Sequence, residues 1–167
     1  MSESMGLFDN HRETNLLSTI AMVEDALVEL GHFLNDCRVA NPSAIASDSS
    51  VLRAWRALKG SATVRISIIG RDDFTHLRVA ASVMTCTGDV DRLALFSHLL
   101  TTNAEICGAA FALRGDEIHI VSERTTLDLD RTEVLDLIGR VQTYADEHDD
   151  VLVARFGGTL GGTATSR

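Results

Sequence analysis

The first strong pattern in the chain is a run of apolar residues at helical spacing in "NLLSTIAMVEDALVELGHFLNDC". Apolar side chains recur at steps of three and four residues, which predicts an amphipathic helix of about five turns. Asn10, three residues before Glu13, predicts a capping box at its start. The apolar face is expected to pack on a sheet or to contact a second copy of the chain, and it comprises Leu16, Ile20, Val23, Leu27, Leu30 and Leu34.

The pattern then changes to strict alternation, which is typical of half-buried strands. Residues 39–50 contain the only proline and many small polar residues, and they predict a loop. The segment "VLRAWRALKG", with Trp55, fits a strand or a short helix equally well. The segments "TVRISIIG" and "HLRVAASVM" follow on either side of "RDDFT", where Asp72-Asp73 predicts a turn. We therefore predict an antiparallel meander of two or three strands.

Helical spacing returns twice in the second half of the chain. The segment "GDVDRLALFSHLLTTNAEICG" predicts a helix with Asp89 as its N-cap. The strands "AAFALR" and "EIHIVSE" flank Gly115-Asp116 and predict a hairpin. Asp130 and Glu133 have capping-box spacing at the start of a last helix, which Gly157-Gly158 ends.

The order of these elements predicts the fold class. A helix, two or three strands, a helix, two strands and a helix form an α+β domain with an antiparallel sheet and three helices, α-β-β-(β)-α-β-β-α. The length of 167 residues suits one such domain, which we place at residues 11–156. Residues 1–10 are predicted to be a flexible N-terminus and residues 157–167 a flexible C-terminal tail.

Composition and charge limit the classes of partner. The net charge of −9 argues against direct nucleic-acid binding, because neutralising phosphates requires a basic surface. No apolar run approaches the ~18 residues of a membrane span, and the N-terminus lacks the pattern of a secretory signal, so we expect a cytoplasmic protein that does not bind membranes. The three cysteines lie far apart and are predicted to be buried free thiols; they are Cys37, Cys86 and Cys107.

No catalytic motif accompanies this pattern. The glycine-rich phosphate-binding loops and the serine nucleophile motif are absent, and the six histidines form no zinc-binding spacing. We therefore predict no enzyme activity, no cofactor and no catalytic or metal-binding residues.

One acidic cluster needs separate consideration. Because its carboxylates spread around a predicted helix, we interpret them as a solvated face; a protein-binding acidic patch and a metal or catalytic site are the alternatives. His148 is predicted to be a hydrogen-bonded histidine at the boundary of the core. The cluster comprises Asp146, Glu147, His148, Asp149 and Asp150.

The second half of the chain resembles a known family. The segment "LLTTNAEICGAAFALRGDEIHIVSERTTLDLDRTEVLDLIGRVQTYADEHDDVLVARFGG" resembles the YbjN family, whose fold is similar to that of type III secretion chaperones. The marks are Asn103 near a helix end, Gly108 before a strand, the Gly-Asp hairpin and the ending "ADEHDDVLVARFGG". The resemblance covers roughly residues 62–158. It implies a homodimer that binds protein segments without ATP, with a loose association to stress responses.

We predict from these observations a non-catalytic, chaperone-like homodimer that binds client proteins through apolar grooves or exposed sheet edges. The rival hypothesis is a small-ligand-sensing regulatory domain with a pocket between sheet and helices near Trp55 and His119. The residues predicted to bind the partner are Leu16, Ile20, Val23, Leu27, Ile66, Ile68, Leu77 and Val79.

Overall fold

The computed structural model describes residues 7–42, 50–71 and 74–162, and within them it contains four helices and six strands. In chain order the elements are α1 (Leu7–Glu29), α2 (Leu34–Cys37), β1 (Val51–Lys59), β2 (Ala62–Arg71), β3 (Phe74–Thr85), α3 (Arg92–Asn103), β4 (Ala110–Arg114), β5 (Glu117–Thr125), α4 (Arg131–Phe156) and β6 (Thr159–Leu160). The predicted mixture of helices with an antiparallel sheet is confirmed.

The strands form one antiparallel sheet in the order β1-β2-β3-β5-β4. Strands β1, β2 and β3 are the predicted meander, and Trp55 lies in β1 opposite Ile66, so its segment is a strand. The predicted hairpin joins β4 to β5 at Gly115-Asp116. Gly115 has a φ of +61°, a left-handed conformation that glycine adopts without a steric cost.

The helices cover one face of this sheet and form the core with it. Helix α4 lies across β2, β3 and β5 and also packs against α1. Alternate strand residues point toward these helices because side chains on a strand alternate between the two faces. The apolar face predicted for α1 is therefore used within the chain, against α4 and the sheet. Fully buried side chains of this core include Val23, Leu27, Trp55, Ile66, Ile68, Leu77, Val79, Ile120, Ile138 and Leu152.

The predicted helix starts were right in one place and wrong in two. Asp130 and Glu133 form the predicted capping box of α4, with the Glu133 N–H donating to Asp130 at 2.9 Å and the Asp130 N–H donating to Glu133 at 3.1 Å. In contrast, α3 is capped by Asp91, which accepts from the Ala94 N–H at 3.0 Å. Asp89, the predicted cap, instead accepts from the hydroxyl of Thr87.

Helix α1 begins at Leu7, so Asn10 lies inside the helix and does not cap its start. Residues 7–10 are thus helical, which corrects the prediction of a flexible segment there. Local spacing identifies side chains able to cap a helix but does not decide which of several nearby turns becomes the first. Residues 1–6 and the predicted turn at Asp72-Asp73 lie outside the described residues.

The C-terminal segment also differs from the prediction. Thr159 and Leu160, which were expected in a flexible tail, pair with Thr85 and Met84 of β3 as strand β6. This edge of β3 is available because β2 pairs with β3 only as far as Val64 and Ala81. Gly161 allows the close approach, since a Cβ there would overlap the backbone of Ser82. Residues 163–167 lie outside the described part of the chain.

Candidate functional site

The face of the sheet opposite the helices forms a concave surface. Among the described residues, only Val39 and Pro42 reach it, at its β1 end, where Val39 packs on a small apolar cluster of Val51, Ala54 and Ile69. A sheet face that no layer covers must be solvated or bind a partner. We call this surface the open face.

A groove of about 350 Å3 crosses the open face from β1 to β4. Its floor is low because small side chains face it from four of the five strands. These are Ala54, Ser67, Ala80 and Ala112. Longer side chains stand around this floor, so the groove is a product of side-chain size and not of a gap in the sheet. Its walls include Arg65, Ile69, Arg78, Arg114, His119 and Val121.

Arginine dominates the charge of the groove although the whole chain has a net charge of −9. Glu123 pairs with two arginines that line the groove, and its oxygens lie 3.1 Å from Arg71 and 3.1 Å from Arg78. Arg65 and Arg114 lie farther along the groove, next to Glu117 and His119. Burial lowers the pKa of Arg65, and the positive charge of Arg114 lowers it further.

His119 is the buried polar residue of this site. Its side chain is nearly inaccessible, yet the residue lines the groove. Its Nε2 lies 3.0 Å from a carboxylate oxygen of Glu117 but has no aligned hydrogen-bond partner among the described residues. Burial lowers the pKa of His119 while Glu117 opposes that shift, so the buried imidazole is biased toward its neutral form.

The sequence contained a signal for this site that the prediction missed. Each strand that contributes to the groove has a cationic or aromatic ring residue at a position facing away from the helices, as in "TVRIS", "HLRVA", "ALRG" and "EIHIV". Of these residues, only His119 was predicted to lie near a pocket, in the rival hypothesis, and the arginines were not considered as a site. Their register brings Arg65, Arg78, Arg114 and His119 onto one surface.

The two outer edges of the sheet are partly occupied by the chain itself. At the β4 edge, the side chain of Asn103 accepts from the Phe111 N–H at 2.7 Å and donates to the Phe111 carbonyl at 3.3 Å. The amide thus satisfies the backbone groups that another strand would pair with at that point. At the β1 edge, Arg38 bridges to Trp55 and the Val39 N–H donates to Ala54.

The residues predicted to bind a partner are mostly inside the monomer. Only Leu16 and Ile20, on α1, are partly exposed. A segment could reach the other six only if helices and sheet separated, so their role in partner binding stays a prediction. These six, each fully buried in the core, are Val23, Leu27, Ile66, Ile68, Leu77 and Val79.

The pocket of the rival hypothesis is not where it was expected. Trp55 is buried in the core, and its indole N–H donates to Glu24 at 3.3 Å. His119 lies on the opposite face of the sheet, in the groove. The two residues therefore do not line a common cavity.

The acidic cluster of α4 is divided by the fold. Asp146, Glu147 and Asp150 are exposed, as the prediction of a solvated face requires. Asp149 departs from it, because its carboxylate is buried and accepts from the hydroxyl of Ser61 in the β1–β2 turn. No group of three or more metal-binding side chains is found among the described residues.

His148 lies half-buried at the boundary of the core, as predicted, and it packs against aromatic rings. Its imidazole is 5.2 Å from the Phe111 ring in an edge-on arrangement and 6.4 Å from that of Tyr144. Burial lowers the pKa of His148, while the charge of Glu147 acts in the opposite direction.

The cysteines are free, and two of the three are buried as predicted. Burial raises the pKa of both Cys37 and Cys86, which keeps these thiols protonated. Cys107 is exposed, in contrast to the prediction, because it follows the end of α3 in a surface connection. In the described part of the chain, no helix has the length and apolar character needed to cross a membrane.

Comparison with known proteins adds a family to this geometry. Residues 55–161, more than half of the chain, match TY-Chap1, the family described as "T3SS (YopN, CesT) and YbjN peptide-binding chaperone 1". This is a family of chaperones and not of enzymes. No curated protein sequence matches the chain.

Two solved structures have a similar fold. One is the ExsC–ExsE complex, with a TM-score of 0.54 and 12% identity over 89% of this chain and 97% of that chain. The other is the HopA1–SchA chaperone–effector complex, with a TM-score of 0.53 and 11% identity over 83% of this chain and 97% of that chain. The family match includes nearly all of the sheet together with α3 and α4. The chain therefore belongs to the family of type III secretion and YbjN peptide-binding chaperones.

Proposed function

We propose that the protein is a chaperone that binds segments of client proteins as a homodimer, without ATP and without catalysis, in the cytoplasm. The single observation that carries the proposal is the family match over residues 55–161, which includes most of the open face. Both similar structures are complexes, and one of them is a chaperone with an effector. We propose that protein clients are likewise the partners of this chain.

The geometry supports binding of an extended segment on the open face. The groove is preformed, runs across the sheet and combines a floor of small residues with polar and apolar walls. Such a surface can hold a chain by side-chain contacts, while the edges at Phe111 and Ala54 already have backbone partners. The groove is therefore better supported as a binding location than the eight residues predicted from the sequence, six of which are in the core.

Support for the homodimer comes from helix α3. Leu93 and Leu100 lie one heptad apart, and their exposed fractions are 83% and 70%. Phe96, between them on the same side, is only partly buried. An apolar stripe of this kind is stabilised when a second surface covers it. We propose that the second surface is the α3 helix of another copy.

A role in a stress response is supported only by the resemblance to the YbjN family. Growth of a strain lacking the protein, compared with its parent under heat and oxidative stress, tests that assignment. Equal growth of the two strains under both stresses would contradict it.

The binding proposal is tested by affinity capture of the tagged full chain from lysate of its own host, at about 150 mM salt, with mass spectrometry. Repeated recovery of the same proteins above an unrelated acidic control is expected. A recovered protein is then purified and titrated into the chain by calorimetry with and without ATP, and equal affinities are expected. Recovery of the chain alone, or binding that requires ATP, would contradict the proposal.

The second candidate is a small-ligand-sensing regulatory domain, which the concave groove with buried His119 favours. It predicts that a small molecule, and no protein, saturates the groove. The capture experiment distinguishes the two candidates, because a sensor domain gives no reproducible client under these conditions.

A further inference from the structure

The open face concentrates positive charge in an acidic protein. Arg56, Arg65 and Arg114 lie on β1, β2 and β4, respectively. Arg71 and Arg78 lie on β2 and β3, nearer the connection between these two strands. The carboxylates on the strands of this face are Glu123, which pairs with Arg71 and Arg78, and Glu117, which lies beside His119. The side chains on this face therefore include more arginines than carboxylates. Their net charge is positive, whereas the net charge of the whole chain is negative.

Two features of the groove favour an anionic ligand. Arg65 and Arg56 occupy directly opposite positions on paired strands, and Arg65 also feels the charge of Arg114, which Glu117 partly offsets. Like charges in such positions disfavour each other, and a further anion near them reduces that cost. The second feature is His119, only 5% exposed, which lines the same space and whose Nε2 lies 3.0 Å from Glu117 without an aligned hydrogen bond.

We propose that the groove binds an extended acidic segment of a client protein, with a carboxylate seated among Arg65, Arg114 and His119. The proposal rests on the proposed peptide-binding function and names the chemical class of the client. A guanidinium group donates two parallel hydrogen bonds to a carboxylate, so an Asp or Glu side chain matches this part of the groove.

The dimensions of the groove favour a segment of chain over a single small anion. It crosses five neighbouring strands, which at a spacing of ~4.8 Å extend over roughly 19 Å, the length of about six extended residues. Ile69 and Val121 contribute apolar walls between the charged positions. A segment that mixes carboxylates with apolar side chains fits this alternation.

The test is fluorescence anisotropy with the full chain and a labelled peptide of about nine residues, made of Glu-Val-Ser repeats. Two matched peptides replace Glu by Gln and by Lys. We expect the Glu peptide to bind at least roughly tenfold more tightly than the Gln peptide, since a lost charged hydrogen bond reduces affinity by this order. We expect its affinity to fall as salt is raised from about 0.05 to 0.5 M.

Variants of the chain locate the site. Arg114→Gln, at an exposed position of β4, is expected to weaken Glu-peptide binding roughly tenfold, whereas Arg155→Gln on α4 makes the same charge change and is expected to leave it unaltered. Ala112→Phe fills the groove floor and is expected to abolish binding. Ala110→Phe, on the same strand and face but outside the groove, retains it.

Several outcomes would overturn the inference while leaving the chaperone proposal standing. These are equal binding of the Glu and Gln peptides, tighter binding of the Lys peptide, or an equal loss in Arg114→Gln and Arg155→Gln. Absence of Glu-peptide binding also overturns it. Failure of the chaperone proposal is a separate result, namely that the capture experiment recovers no client.

Discussion

Asp149 and Asp150 are neighbours on α4 with the same side chain and opposite environments. The carboxylate of Asp149 is buried and accepts hydrogen bonds from the Ser61 hydroxyl and from the Asp150 N–H, at 2.6 Å for the latter. Asp150 points into solvent. The first residue joins α4 to the β1–β2 turn, and the second contributes charge only.

This contrast predicts different costs for two matched substitutions. Asp149→Ala removes a hydrogen bond between the Ser61 hydroxyl and a buried carboxylate, and it is expected to lower the free energy of unfolding by about 1–3 kcal/mol. Asp150→Ala is expected to change it by less than about 0.5 kcal/mol. Urea unfolding of both variants measures the difference, and equal costs would show that the buried hydrogen bond does not stabilise the fold.

His148 gives the stability a dependence on pH. Burial lowers its pKa in the folded state below the ordinary value of 6.5, against the effect of Glu147. As the pH falls below 6.5, His148 takes up a proton more readily in the unfolded chain than in the folded chain. The stabilising contribution is therefore complete above pH 6.5 and is lost as the pH falls through the lower pKa of the folded state. His119, whose pKa is also lowered, acts in the same direction.

We therefore expect the free energy of unfolding to be smaller at about pH 5.5 than at pH 7.5, with a smaller difference in His148→Gln. Urea unfolding of both proteins at the two pH values gives the comparison. The His119 contribution cancels between them, because both proteins retain that residue. If the variant keeps the full pH dependence, His148 is not its source.

At the scale of single elements, two aspartates near the start of α3 are equally able to cap the helix as judged from the sequence, but only one of them does so. Asp91 accepts from the Ala94 N–H, and Asp89 accepts from Thr87. Asp91→Ala is expected to lower the free energy of unfolding by about 1 kcal/mol, because an orphan N–H of the first turn loses its acceptor. Asp89→Ala is expected to cost less. Thermal or urea unfolding distinguishes them, and the reverse order would place the cap at Asp89.

Strand β6 depends on the absence of a side chain at one position. A Cβ at Gly161 would overlap the backbone of Ser82, whereas one at Gly88 would meet nothing within 4 Å. Gly161→Ala is expected to lower the free energy of unfolding by about 1–3 kcal/mol, and Gly88→Ala to change it by less than about 0.5 kcal/mol. Hydrogen exchange at Leu160 gives a local measurement, and unchanged protection in Gly161→Ala would show that β6 tolerates the added methyl group.

For the whole molecule, the proposed homodimer makes α3 the element to test. Leu93→Asp and Leu100→Asp place a charge on its apolar stripe and are expected to raise the dimer dissociation constant at least tenfold, equivalent to ~1.4 kcal/mol. Leu127→Asp, whose position is 56% exposed in the β5–α4 connection, makes the same change elsewhere and is expected to leave the dimer intact. Sedimentation equilibrium measures all three. A monomeric wild type, or an equal effect of Leu127→Asp, would contradict this interface.

The fold was largely predictable because its signals are local. Alternation identified β2 and β3, the Gly115-Asp116 pair identified the hairpin, and the Asp130–Glu133 spacing identified the start of α4. The resemblance to the YbjN family then indicated the architecture that these elements share. The short strand β6 was missed because two residues are too few to show an alternating pattern. They form a strand only because they pair with the edge of β3 at Met84 and Thr85.

The candidate site was not predictable in the same way. Apolar strand positions such as Ile66 and Val79 look identical in sequence whether they bind a partner or fill the core, and here they fill it. Arg65, Arg114 and His119 are far apart in the chain and each resembles an ordinary surface residue. They become one site because the antiparallel register of four strands brings them together.

By itself, the sequence determined the types and order of most helices and strands, through side-chain periodicity and local hydrogen-bonding residues that act within a few positions. Only the tertiary structure decided which of the two faces of the sheet became the core and which became the open face with its groove. The reason is physical: a strand presents side chains on both faces, and their environment depends on which face the helices cover. That choice buried Ile66 and Val79 and placed Arg65 and His119 in the groove of the open face.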